Sequence, residues 1–413
     1  MKTKLIPIVI LAIAGLCITG CHSPGSFDKR LNDIVAPYRF STITWESRTI
    51  PGELLDWALG WSPKTGDKTD AVTEYFSTID LIKALEREIR ATETGDGQGN
   101  PGSRQSELAA LEERKGELED TVEKVLEEQI EETLAAEGIF NPFTDRLKII
   151  LPPLNFILEK PPHLLVISPR DRIETIREMT LKQDLSLEEI EAIENEAEKI
   201  GVSALVVKLG GMGSTYPAFV TNDASLSFTI DAATEEWLHQ YLFFKPLGIL
   251  YTLDLTGISP DYEIATINET VASMTSEEIG DIVYRNNYPA LYNASPDVQT
   301  KATGFDFSQE MRQIRRAVDE YLARGEIELA EEYMEDKQQY LASQGYYIRK
   351  LNQAYFAFHG AYADSPTSVN PIGLELEELR EESGSIKDFL EKSALITGRK
   401  ALREALEEQN AHE

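Results

Sequence analysis

Cysteine is nearly absent from this chain. Only Cys17 and Cys21 occur in 413 residues. Everything beyond residue 21 therefore lacks a thiol, no disulfide can form there, and the fold must stand on its core alone. Basic residues are also scarce: 40 Lys and Arg face 71 Asp and Glu, a formal net charge of −31. That balance excludes nucleic acid as a partner, because its phosphates would be repelled. It also excludes a general attraction to anionic lipid, and the acidic surplus reads most simply as a source of solubility. No apolar run after residue 16 is long enough to cross a bilayer. No internal repeat is present, and low complexity is confined to residues 94–103. What the chain does have is 42% hydrophobic content, enough for one large core or two smaller ones.

The amino terminus carries a specific pattern. Lys2 and Lys4 precede an almost wholly apolar stretch, residues 5–16, and Ile18-Thr19-Gly20-Cys21 follows. The apolar stretch is short for a membrane span, which suits a cleaved signal. The tetrapeptide resembles the lipobox read by lipoprotein signal peptidase. That resemblance implies a signal peptide over 1–20, cleavage before Cys21, and a lipid on Cys21. Two or three acyl chains give stable anchoring, so the expected location is the extracytoplasmic side of a cell membrane. Cleavage would remove two lysines and no acid, leaving the mature chain two charges more negative than −31. Residues 22–37 are polar, with Ser, Pro, Gly and Asp, and read as part of a tether and amino-terminal segment spanning 21–66.

Helical periodicity begins at residue 69. Val72, Phe76, Ile79, Ile82, Leu85 and Ile89 recur at helical spacing. Residues 94–103 break it with glycine, asparagine and proline. Leu108, Leu111, Leu118, Val122, Val125, Ile130 and Leu134 then form a second stripe through residue 136. Two such stripes across a glycine-rich turn predict an antiparallel, coiled-coil-like helical hairpin over 67–138. Its acidic residues read as a solvated face or, alternatively, as an arm for a partner.

The remaining chain, 139–413, changes character. Residues 147–151 and 163–167 are short β-rich runs between prolines. Asp171 and Ser186, each with Glu three residues on, read as helix starts. Residues 204–209 read as a buried strand, Gly210 to Gly213 as a tight turn, 215–221 as a second strand, and 226–230 as a third strand or a lead-in. The cluster Gly210, Gly211, Gly213 lacks the Lys-Ser/Thr of a phosphate loop. Helical pattern dominates from Asp231, the expected cap of the next helix. The expected class is α+β, mainly α: a small β-sheet followed by a helical domain, with the helical hairpin in front.

Chemistry-bearing residues concentrate at 235–272. In Glu235-Glu236-Trp237-Leu238-His239 the first and last residues lie four apart and share a helix face. Thirty residues on stands Asn268-Glu269-Thr270-Val271-Ala272. The first segment resembles the His-Glu-x-x-His zinc motif with its first histidine replaced, and the second resembles the Asn-Glu-x-x-Ala segment of gluzincin metallopeptidases. The resemblance covers roughly residues 200–290. It implies a metallopeptidase-like domain with Glu235, His239 and Glu269 as metal ligands, Glu236 as general base, zinc as cofactor and a peptide or protein substrate. It also places the substrate-pairing edge strand at 215–221. Around 347–363, Asn352, Tyr355, His359 and Tyr362 fall on one helical face. Gluzincins stabilise the oxyanion with a downstream Tyr or His, a part the resemblance gives to Tyr355 or His359, and His359 could instead replace the missing imidazole.

Glu235 departs from the family pattern. A second carboxylate ligand weakens the metal as a Lewis acid and shifts preference toward harder ions such as Mn²⁺ or Ca²⁺. Two functions therefore stay open: metal-dependent peptide hydrolysis, or a catalytically inactive surface binding or scaffold lipoprotein retaining the peptidase fold. The same residues also suit exposed helix acids, a hydrogen-bonded histidine and an aromatic helix in the core. For the anchor, Cys21→Ser is expected to abolish lipid labelling and release the protein from the membrane fraction. Undiminished labelling contradicts the lipobox reading.

Overall fold

The computed structural model describes residues 26–41, 68–93, 101–144, 146–294 and 305–410. Residues 1–25, which hold the expected signal segment and Cys21, all of 42–67, and the glycine-rich stretch 94–100 lie outside the described residues. The chain is mainly helical with small sheets, an α+β fold. No described helix is long and apolar enough to cross a membrane.

The expected tether is in part a helix, α1 (Ser26–Val35), followed by a 3₁₀ turn. Leu31 and Val35, four apart and so on one face, are fully buried. They join a small core with Leu165, Ile167 and Ile193, and the Arg177 guanidinium pairs with Asp28 at 3.0 Å. Burial of that apolar stripe is what the polar composition concealed.

Helices α2 (Lys68–Glu93) and α3 (Pro101–Ala136) lie side by side and antiparallel. Arg114 reaches Glu74 at 2.7 Å and Arg104 reaches Glu88 at 3.3 Å. Val72, Tyr75, Phe76 and Ile79 pack with Leu118, Val122, Val125 and Ile130 into the main core, which continues into the rest of the chain.

Not all the acids of α3 are a solvated face. The N–H of Leu158 donates to Glu123 at 2.6 Å, that of Phe156 to Glu127 at 3.2 Å, and that of Leu154 to Glu131. The acceptors sit on successive turns and the donors on alternate residues around strand β1 (Phe156–Leu158). Four helical residues rise about 6 Å and two strand residues about 6.6 Å, so the repeats match over this length. The glutamates thereby close a strand edge that would otherwise expose unpaired donors.

Strand β2 (His163–Pro169) is the centre of one sheet, antiparallel to β3 (Arg177–Leu181) and to β4 (Val202–Lys208), with α4 (Leu187–Glu198) packed against it. Ser186 and Glu189 form a reciprocal cap on α4. Asp171 starts no helix, because Glu174 pairs with Arg172 at 2.5 Å instead of capping a backbone. Residues 147–151 form no strand either. Leu147 and Ile149 are exposed, and Pro152 and Pro153 remove the donors a ladder would need.

The second sheet holds β6 (Ala218–Val220) between β1 and β5 (Gly211–Met212). Ala218, Phe219 and Val220 are all buried, so 215–221 is not the edge strand expected for a substrate; both sides of β6 are already paired. Residues 226–230 belong to helix α5 (Leu226–Leu242), capped by Ser225 and not by Asp231. Leu226, Thr229 and Ile230 are buried at helical, not strand, spacing.

Helix α6 (Pro246–Leu255) leads to α7 (Tyr262–Asn287), whose buried residues recur along most of its length. Asp231 sits within α5 against Gly280 of α7, where a Cβ would overlap its carboxylate; the glycine sets the approach of the two helices. Beyond α8 (Pro289–Ala294), helices α9 (Phe307–Ala323) and α10 (Ile327–Ser343) build a third core with Leu351 and Phe356. Short α11 (Gln353–His359) packs on β2 and β4. Helices α12 (Pro371–Glu381), α13 (Ile386–Ser393) and α14 (Arg399–Asn410) complete the main core.

The glutamate ladder gives a pH signature. Burial pushes the Glu123 carboxyl up to about 8, against the Leu158 N–H that favours its ionised form. A folded-state pKa above the unfolded value of about 4.3 means its stabilisation is complete at low pH and is lost as pH rises through about 8. Glu123→Gln keeps the acceptor and removes the charge. At pH 9 it should raise Tm by about 2–4 °C, the effect of roughly 1 kcal/mol in a large domain, and at pH 4 it should change Tm little. Thermal melts at the two pH values check this.

Candidate metal centre

Glu235, Glu236 and His239 come from α5, and Asn268 and Glu269 from α7. Close packing of these helices brings the two segments together. Glu235, His239 and Glu269 each offer an atom within 4.8 Å of the others, the only such ligand-type group among the described residues. His239 Nε2 stands 3.6 Å from Glu269 Oε2, with 15% and 13% of the two side chains exposed.

The imidazole is oriented by its other nitrogen. Nδ1 lies 2.9 Å from Asn268 Oδ1. A carboxamide oxygen only accepts, so Nδ1–H donates and Nε2 is turned toward Glu269. Hydrogen bonding of a ligand histidine through its second nitrogen is the usual way a metal site fixes its tautomer. Asn268 is fully buried, which holds this arrangement rigid.

Negative charge exceeds positive here. Burial pushes Glu235 well above the usual carboxylate range, and neighbouring Glu236 adds to it. Burial also pushes Glu236 up to about 7, opposed by His239 and by the N–H of Gly213. His239 rises as well: burial opposes its protonation, but Glu269, Glu236 and Glu235 outweigh it and push it up to about 10. Burial would raise Glu269 too, yet His239 and the hydroxyls of Tyr251 and Tyr362 hold it below the usual range. Glu235 Oε1 is buried with no hydrogen-bond partner. Two carboxylates, one oriented imidazole and an orphaned carboxylate oxygen fit a divalent cation, and the residues that would hold it are Glu235, His239 and Glu269.

Glu236 points to a different neighbour. A Cβ on Gly211 would overlap its carboxylate, and one on Gly213 would lie 2.7 Å from its Oε2. The glycines of β5 and the following turn thus form a cradle for this side chain. Gln240, one turn further on, ties the same turn down by donating to the carbonyls of Gly213 and Thr215 at 3.3 and 3.1 Å. The glycines were legible only as a turn, because what they make room for is contributed by another element.

Tyr355 and His359 are not brought to this cluster. Their ring centres lie 4.3 Å apart at a tilt of 47°, and the two residues line a separate cleft of about 250 Å³ with Met311 and Arg315. Helix α11 begins after its cap Asn352 and ends at His359, shorter than the expected 347–363. The chain turns at Gly360, whose missing Cβ avoids the Phe356 carbonyl. Tyr362 therefore leaves the shared face and hydrogen-bonds Glu269. Tyr251, on α6, donates to Glu269 Oε1, and its ring stacks on His239 at 5.7 Å. No sequence signal marked Tyr251.

Comparisons with protein-family models, with curated proteins and with solved structures give no match for this chain.

The cradle makes a steric prediction. Gly211→Ala should destabilise the protein by about 1–3 kcal/mol, the usual range for overpacking. Glu236→Ala in the same chain should recover most of that loss, because the three atoms nearest the new methyl all belong to the Glu236 side chain. A double-mutant cycle from denaturant melts measures the coupling; additive losses would show that the conflict lies elsewhere.

Proposed function

We propose that this chain is a gluzincin-like, metal-dependent hydrolase of peptide bonds, held at the extracytoplasmic membrane surface by lipid on Cys21. The observation carrying the proposal is the convergence of Glu235, His239 and Glu269 beside a cradled Glu236. A bound divalent ion such as zinc would polarise the scissile carbonyl and acidify a water. Glu236 would take the proton of that water at its carboxylate and pass it to the leaving amine. The Gly213 N–H holds this carboxylate in place. Asn268 holds His239, and Tyr251 and Tyr362 hold Glu269. Tyr355 and His359 line another cleft, so the oxyanion-stabilising part first given to them is not proposed for them here.

One observation favours the second reading, an inactive surface binding protein. Glu235 stands where the family has histidine, and burial favours its neutral form, which is a poor ligand.

Zinc and manganese titrations separate the two. Under the hydrolase reading the wild type binds metal. Glu236→Gln should then keep metal affinity within about threefold and lower hydrolysis of a denatured protein substrate by 10²-fold or more, the range for loss of a general base. Under the second reading the wild type holds little zinc, and Glu235→His raises zinc affinity by rebuilding the imidazole pair. Absence of metal binding in both proteins removes the hydrolase reading.

A further inference from the structure

The two oxygens of Glu269 are in different surroundings. Oε2 faces His239 Nε2 at 3.6 Å. Oε1 accepts a hydrogen bond from the Tyr251 hydroxyl. The Tyr251 ring lies nearly parallel to the His239 ring, at an interplanar angle of 26°. A single side chain thus touches two of the three ligand-type residues, from a helix that contributes none of them.

We infer that Tyr251 sets which metal the centre accepts, by reserving Glu269 Oε1 so that Glu269 offers a single oxygen. The inference rests on the metal-centre reading above. Zinc takes four ligands in structural sites, and catalytic zinc takes three protein ligands and keeps a position for water. Calcium takes 6–8 oxygens, commonly including a carboxylate through both atoms. Glu235, His239 and one oxygen of Glu269 make three donors, which suits the first and starves the second. Two carboxylates on their own would lean toward harder ions; the phenol works against that lean by engaging one of the oxygens a hard ion would need. Tyr251 is a positioning residue, since it acts through Glu269 and His239.

Tyr251→Phe removes the hydroxyl and leaves the ring stack. Calorimetric titrations of wild type and variant with Zn²⁺, Mn²⁺ and Ca²⁺ provide the test. The wild type should favour zinc over calcium. In the variant zinc affinity should fall about 10-fold, the usual effect of losing a residue that orients a ligand, while calcium affinity holds or rises. The zinc-to-calcium ratio should therefore narrow by about 10-fold or more. A merely structural role for Tyr251 would weaken all three metals together and leave the ratio unchanged, which overturns the inference. A wild type that binds none of the three metals removes the metal-centre reading itself, and this inference with it. If the variant does not fold, infrared spectra of the zinc-loaded wild type decide the point. The splitting of the carboxylate stretches should indicate single-oxygen ligation at Glu269, assigned by its loss in Glu269→Gln; bidentate splitting overturns the inference.

Discussion

Helices α5 and α7 enclose more negative charge than a buried contact ordinarily tolerates. Glu235, Glu236 and Glu269 surround one imidazole, and ionised carboxylates are costly to remove from water unless paired. The surrounding structure answers that cost at each group. Glu269 receives two phenol hydrogen bonds and faces His239. Glu236 receives a backbone N–H from the glycine turn. His239 is fixed by Asn268. Glu235 alone retains an unpartnered oxygen. Either a proton on Glu235, which burial favours, or a divalent cation would complete this balance, and the proposed chemistry takes the second.

The rest of the fold holds these two helices in place. Helix α7 packs against α3, α5, α6 and the carboxy-terminal helices, and α3 is in turn tied to the second sheet by its glutamate ladder. Trp237, fully buried on α5, donates to the Pro152 carbonyl at 2.8 Å, so the helix is fastened on the side away from Glu235 and His239. Glycines 211, 213 and 280 act by absence, leaving room for a carboxylate that a side chain would displace. The first sheet is joined to the segment between α10 and α11 through Glu194, which pairs with Arg349 at 2.5 Å and accepts from the Val206 N–H at 2.7 Å.

Periodicity made part of this legible. The stripes at 72–89 and 108–134 mark long helices because an apolar residue every three or four positions serves no other regular structure. The cap at Ser186 was readable because its partners are local, within one turn. The same signal misled at Asp171, where Arg172 captured the acid that would have capped. Residues 226–230 misled because five residues of mixed apolar and hydroxyl character fit a strand or a helix equally, and only burial at 226, 229 and 230 distinguishes them.

The sequence by itself determined the absence of thiols beyond residue 21, the acidic charge, the mainly helical class, and the candidates Glu235, Glu236, His239 and Glu269. The first three depend on composition or periodicity, and the candidates rest on the resemblance of two short segments to a zinc-peptidase pattern. Tertiary structure decided which groups face those candidates. Tyr251 lies on a different helix, Gly211 and Gly213 on a strand and turn, and Tyr362 past the end of α11. It also decided that 215–221 is a central strand and that Tyr355 and His359 line another cleft. Each of those outcomes rests on the meeting of elements far apart in the chain, and pairwise proximity of that kind leaves no periodic trace in a single sequence.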